Sequence, residues 1–147
     1  MLVADAQDSW SMFLAANRMQ APRPVRVERR ERMLVFARDP LIRRWIEHEV
    51  FGEGVASEHA ESLVDVISTL TIAAPPWPRY LVIDVAEISS SDAHLLAVIR
   101  AVGWPGVVIA LGDAPKPMRK LLGIDITLPR AVKIGSEALR DALALAR

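Results

Sequence analysis

Residues 80–100 read YLVIDVAEISSSDAHLLAVIR. The run Tyr80-Leu81-Val82-Ile83 is apolar throughout and stops abruptly at Asp84. A short continuous apolar run of this kind suits a strand buried on both faces. Ser89, Ser90, Ser91 and Asp92 follow, and they precede Leu95, Leu96, Val98 and Ile99 at helical spacing. Polar residues just before an apolar periodic run are N-cap chemistry. The stretch therefore reads as buried strand, acidic strand end and capped helix.

The same alternation continues on both sides. Upstream, Met33-Leu34-Val35-Phe36-Ala37 is a second buried strand, and Asp39-Pro40 opens a helix with Asp as N-cap and Pro in the first turn. Leu41, Ile42, Trp45 and Ile46 form its expected apolar face, with Arg43, Arg44 and Glu47 pointing away. Gly52-Glu53-Gly54 ends it, Val55 and Ala56 suggest a very short strand, and Ala60, Leu63, Val64, Ile67 and Leu70 mark a second amphipathic helix. Pro75-Pro76-Trp77-Pro78 is a rigid, non-helical connection. Downstream, Gly103-Trp104-Pro105-Gly106 turns the chain into the buried strand Val107–Leu111. Pro117–Leu122 leaves room for a turn or two of helix, Ile124–Leu128 is the last strand, and Ser136 caps a final helix through Leu145. Parallel strands need helical crossovers, so this order predicts an α/β chain with a doubly wound, open, parallel five-stranded sheet. The ligand-facing edge of such a sheet lies at the strand carboxyl ends, where Asp39 and Asp84 fall.

Composition narrows the function classes. The chain has 147 residues, 52% hydrophobic and 24% charged, which is ordinary globular usage with length for one core. Lys plus Arg and Asp plus Glu are 18 each, so the formal charge is zero and bulk electrostatic nucleic-acid binding is disfavoured. There is no cysteine, which removes disulfides, thiolate nucleophiles and thiolate metal sites. No window approaches the length of a membrane span, and Met1–Asp5 lacks the pattern of a secretory signal, so a cytoplasmic protein is expected. His48, His59 and His94 sit on separate segments without metal-ligand spacing, and a phosphate-cradling glycine loop is absent. Asp39, Asp84 and Glu87 could act as paired carboxylates, but no hydrolase pattern accompanies them. No enzyme activity, cofactor or metal is expected.

Three stretches, MLVFARDPLIRR at residues 33–44, LVIDVAEISSSDAHLLAVIR at 81–100, and 107–132, together resemble a bacterial response-regulator receiver domain. The resemblance covers roughly residues 32–146 and implies a flavodoxin-like, receiver-like sheet. It places Asp84 at the phosphoacceptor position. It also shows departures. The acidic pair that holds magnesium in receivers aligns with Ala37 and Arg38, and Asp39 matches only the variable third polar position. Alanine offers no oxygen to a hard cation, and arginine brings a like charge. The hydroxyl switch aligns with Gly112, the aromatic switch with Thr127, and the lysine after the fifth strand with Arg130. Phosphoryl transfer depends on positioning and charge neutralisation, much of it from the metal.

The resemblance therefore implies a pseudo-receiver: a non-enzymatic signalling or scaffold module acting by protein–protein contact, without a normal magnesium-dependent aspartyl-phosphorylation cycle. Arg38 and Arg130 are expected to converge on Asp84, one or both as ion pairs. One alternative is a working phospho-receiver, phosphorylated on Asp84 by a histidine kinase. Another is a domain similar to anti-sigma-factor antagonists, which LVIDVAEISSSDAHLL and LLGIDIT also resemble, with the phosphorylated serine falling on Ala93 or Ser90. That family expects a different strand order.

Residues 1–31 lie outside the resemblance and form a helical extension and charged link, with the receiver-like domain over 32–147. Asp5 caps the extension's helix, Trp10, Phe13, Leu14 and Met19 give it an apolar stripe, and Pro22 and Pro24 stop it. The stripe is an interaction surface, packing on its own domain or on a partner, which includes a second copy as a homodimer. Arg23, Arg26, Arg29, Arg30 and Arg32 are interrupted by Glu28 and Glu31, so the link reads as solvated rather than DNA-binding, and Val25 and Val27 could lead into an edge strand. The expected partner is a protein of unknown identity, not a membrane.

Overall fold

Strands that are apolar at every position need cover on both faces, and the computed structural model provides it. It describes residues 31–130 and 137–147. The elements are β1 (Glu31–Phe36), α1 (Pro40–Val50), β2 (Val55–His59), α2 (Leu63–Thr71), β3 (Tyr80–Asp84), a 3-10 turn (Val85–Glu87), α3 (Ser90–Leu96), α4 (Val98–Ala101), β4 (Val107–Leu111), α5 (Lys116–Leu122), β5 (Ile126–Leu128) and α6 (Ala138–Ala146). The sheet order is β2-β1-β3-β4-β5, and every pairing is parallel. This is the order expected from the receiver resemblance, not the one expected for an anti-sigma-factor antagonist. The expected N-terminal helix, the expected lead-in strand at Val25 and Val27, and the expected cap Ser136 fall outside the described residues.

Alternate residues of each strand feed two cores. Met33, Val35, Tyr80, Val82, Ile109 and Leu111 pack under α1 and α6. Leu34, Phe36, Leu81, Ile83 and Val108 pack under α2, α3, α4 and α5. Asp39 caps α1 by accepting the N–H of Leu41, with Pro40 in the first turn. Ser89 and Asp92 form a reciprocal capping box on α3.

Several details differ from the sequence expectation. Leu41 is 69% exposed, because the inward stripe of α1 runs through Ile42, Trp45, Ile46, Glu49 and Val50 and leaves position 41 beyond its edge. Arg43 does not point away: its Nε donates to Ala37 O at 2.8 Å. In α2 the buried positions are Val66 and Leu70, Val64 is exposed, and Ala60 is buried ahead of the helix. The helix expected after Ser89 breaks at Ala97 into α3 and α4, with Leu95 and Val98 exposed. β2 is five residues long because backbone pairing with β1 extends an edge strand through polar Ser57 and Glu58, and Arg32 Nε bridges to Glu58 at 2.8 Å. β5 starts only at Ile126, because Asp125 just before it turns its side chain to the N–H of Val108. Glu49 is buried with 1% exposure, and its Oε1 accepts the Arg140 N–H in the first turn of α6. A carboxylate from a neighbouring helix thus meets a helix N-terminal donor.

At the other end of the sheet, Tyr80 OH donates to Glu31 Oε1 at 3.2 Å, and Glu31 also pairs with Arg79 and Arg147. Burial, reinforced by the charge of Glu31, pushes the Tyr80 phenol above its ordinary value. A group whose folded pKa is raised favours the protonated folded state. Its contribution is complete below the unfolded value of about 10 and fades as pH rises through the folded value. Melting temperature should therefore fall more steeply between about pH 10 and 12 in the native chain than in Tyr80→Phe. Tyr80 is the single tyrosine, so its absorbance titration reports the same event without ambiguity. Equal alkaline slopes for the two proteins would contradict the assignment.

Candidate functional site

The carboxyl edge of the sheet brings together the ends of β1, β3, β4 and β5. Asp84 ends β3, beside Leu111 of β4, and is fully buried. A buried carboxylate needs compensation by charge and hydrogen bonds. Arg130, two residues past β5, supplies it: Nε donates to Asp84 Oδ1 at 2.8 Å and Nη2 to Oδ2 at 3.0 Å. The Ala86 N–H adds a third bond to Oδ1 at 3.2 Å, so Asp84 also caps the 3-10 turn. The guanidinium remains half-exposed, so one end of the pair is wet and the other dry. The bond to Asp84 is the main cause that raises the Arg130 pKa, followed by that carboxylate's charge and by the more distant Asp39 and Glu87.

Arg38 does not share this pair. Its side chain is 66% exposed, its Nη1 reaches Glu87 Oε1 at 3.5 Å, and its guanidinium lies over the Phe36 ring at 5.7 Å. Glu87 stands on the turn directly after Asp84 with its side chain only 18% exposed, and Arg38 meets it from the solvent side. Pairing there avoids desolvating a second arginine. Ala37 is buried in the core, and its carbonyl is taken by Arg43. Asp39 Oδ1 accepts the Leu41 N–H as the α1 cap.

Gly112 follows β4 with φ +101°, where glycine is favoured, and its N–H donates to Leu128 O at 2.8 Å. A Cβ there would lie 3.5 Å from the Arg130 Cβ and 3.8 Å from Val85. Gly112 thus stands between Arg130 and Val85, and the Arg130 side chain passes over the end of β4 to reach β3. Thr127 is exposed on β5, beside Ala110, and makes no contact with Asp84. Among the described residues, no group of three His, Asp or Glu side chains could hold a metal. Trp10, Phe13, Leu14 and Met19 lie outside the described residues.

A second polar centre escaped the sequence reading. Arg100, at the end of the α3–α4 segment, donates to the carbonyls of Leu122, Trp104, Gly106 and Gly123 and to Asp125 Oδ2 at 3.0 Å. It also stacks over Trp104 at 5.2 Å. These contacts fasten α4, the turn before β4 and the C-terminus of α5. The partners are mostly main-chain carbonyls, which carry no sequence signal.

No family model matches the sequence, and no curated protein matches it. Solved structures do match the fold. The chemotaxis protein CheY4 of Vibrio cholerae superposes with a TM-score of 0.64 at 16% identity, covering 80% of this chain and 99% of that one. A CheY-like receiver domain from Methylobacillus flagellatus gives 0.61 at 16% identity, covering 80% and 99%. A response regulator from Thermotoga maritima gives 0.60 at 11% identity, covering 80% and 97%. The chain thus has the flavodoxin-like receiver fold, with this sheet order and these flanking helices. Among the described residues, no helix is long and apolar enough to cross a membrane.

Proposed function

We propose that this chain is a signalling or scaffold module of pseudo-receiver type that acts by protein–protein contact and runs no magnesium-dependent aspartyl-phosphorylation cycle. The observation that carries the reading is the Arg130 fork on Asp84. Both carboxylate oxygens are engaged by one guanidinium, and the side chain has no exposed surface. A nucleophilic carboxylate must present a free lone pair to phosphorus, with cations on the phosphoryl oxygens. Here the cation sits on the nucleophile itself. The Ala37 side chain contributes no metal ligand, which leaves Asp39, itself the α1 cap through Oδ1, without an acidic neighbour at the end of β1. In this role Arg130 substitutes permanently for the charge that would otherwise come and go, and it holds the strand-end loops in one arrangement.

The consequence is directly measurable. Incubated with a small phosphodonor and magnesium, the chain should keep its mass. Stoichiometric, magnesium-dependent gain of one phosphoryl group on Asp84 would overturn the reading in favour of a working phospho-receiver with a histidine kinase as donor.

A further inference from the structure

At the opposite edge of the sheet, where β3 and β4 begin, lies a groove of about 330 Å³ whose walls include Trp77, Pro78, Trp104 and Pro105. We propose that it is the docking site of the proline–arginine stretch of the same chain, Ala21-Pro22-Arg23-Pro24-Val25-Arg26. This inference stands independently of the reading of Asp84.

The groove is built rather than incidental. Trp77 is pinned by its Nε1, which donates to Ala73 O at 2.7 Å, and yet its side is 43% exposed. Trp104 is buried, with Nε1 donating to Pro78 O at 2.9 Å. Gly106 is required beside it, since a Cβ there would overlap the indole ring. Trp77 and the two prolines give the groove an open apolar, aromatic wall over the buried Trp104, and Arg79, the charged side chain in its lining, is already engaged by Glu31 and the Ala146 carbonyl. Proline rings dock on such surfaces, because a polyproline-II strand is already extended and lacks N–H groups to satisfy. Arginines flanking the prolines can stack on the open indole face.

The occupant follows from where the chain enters. β1 begins at Glu31, and the neighbouring strand holds the groove. Arg79 N donates to Arg32 O at 2.9 Å, and Arg32 Nη1 donates to Pro76 O at 2.7 Å. The second residue of β1 is therefore already in contact with the groove's rim, one position from where the strand begins. From Glu31 back to Pro24 is seven residues, a reach of roughly 22 Å in polyproline-II form. The groove is at the small end of ligand sites, which suits a tethered segment. A short tether gives an effective concentration on the order of millimolar, so an affinity too weak for a free peptide suffices in the same chain.

Because the chain has no cysteine, a spin label placed by Gln20→Cys is unique. The indole N–H signals of Trp77 and Trp104 in the isotope-labelled full chain should broaden, and should recover when the label is reduced. Trp45, buried under α1 on the other side, serves as the control. Adding Pro22→Gly and Pro24→Gly should abolish the broadening without changing the melting temperature. Three results would each overturn the proposal: no broadening at Trp77 and Trp104, broadening that persists in the glycine variant, or broadening seen only between labelled and unlabelled copies. The last would mean that a second copy supplies the segment.

Discussion

Arg100→Met will lower the unfolding free energy by about 3 kcal/mol, or about 10 °C in melting temperature. The guanidinium is the shared donor for four carbonyls and Asp125, and methionine keeps most of its apolar stem while removing every donor. A hydrogen bond to a charged group contributes about 1.5–3 kcal/mol, and five such bonds would suggest far more. The side chain is 27% exposed, however, so water can replace part of what is lost. Arg100→Lys separates the fork from the charge. A single ammonium, with three donors on one atom, cannot serve four carbonyls and Asp125 at once, so lysine should recover less than half of the loss. Thermal or urea unfolding of the two variants decides the matter. A methionine variant within about 0.5 kcal/mol of the native chain would mean that solvent already satisfies those carbonyls.

Arg100 also shows what can and cannot be read from the chain. Met33–Ala37, Tyr80–Ile83 and Val107–Leu111 are legible as strands because burial on both faces leaves no polar position, and their order with intervening helices leads to the observed sheet. Asp39-Pro40 and Ser89 are legible because caps act within a few residues. β2 is not, because an edge strand is held by backbone pairing with β1, and its Ser57-Glu58 carries no pattern. Glu49 looks like a solvated helix residue until α6 places Arg140 N beside it, 91 positions further along.

The site divides along the same line. Asp84 and Arg130 both lie just at or beyond strand ends, so sheet topology alone brings them together. Arg38 occupies an equivalent place but turns to Glu87, a choice made by desolvation and not by topology. The resemblance to receivers could locate the edge where chemistry would occur. It could not say which of two arginines would engage the carboxylate.

Arg130→Ala should lower the melting temperature by about 5 °C, a large effect for a half-exposed side chain. The reason lies in the partner. Without the guanidinium, Asp84 keeps only the Ala86 N–H at a position the native fold buries completely, and water entering the space left by the side chain offsets part of the loss. Asp84→Asn alone keeps an acceptor for Ala86 and for one arm of Arg130, so its effect should be smaller. The double variant should regain most of what Arg130→Ala loses, since a neutral amide costs less to bury than an unpaired carboxylate. If instead the two losses simply add, the pair is not coupled and the lock is not electrostatic. The phosphodonor experiment on Arg130→Ala then separates two causes of inertness. Freed of its arginine, Asp84 should still take no phosphoryl group, because Ala37 provides no oxygen to a divalent cation and Asp39 remains engaged at Leu41 N. Phosphorylation of that variant alone would place the block entirely on Arg130, and the chain would be one substitution away from a working receiver.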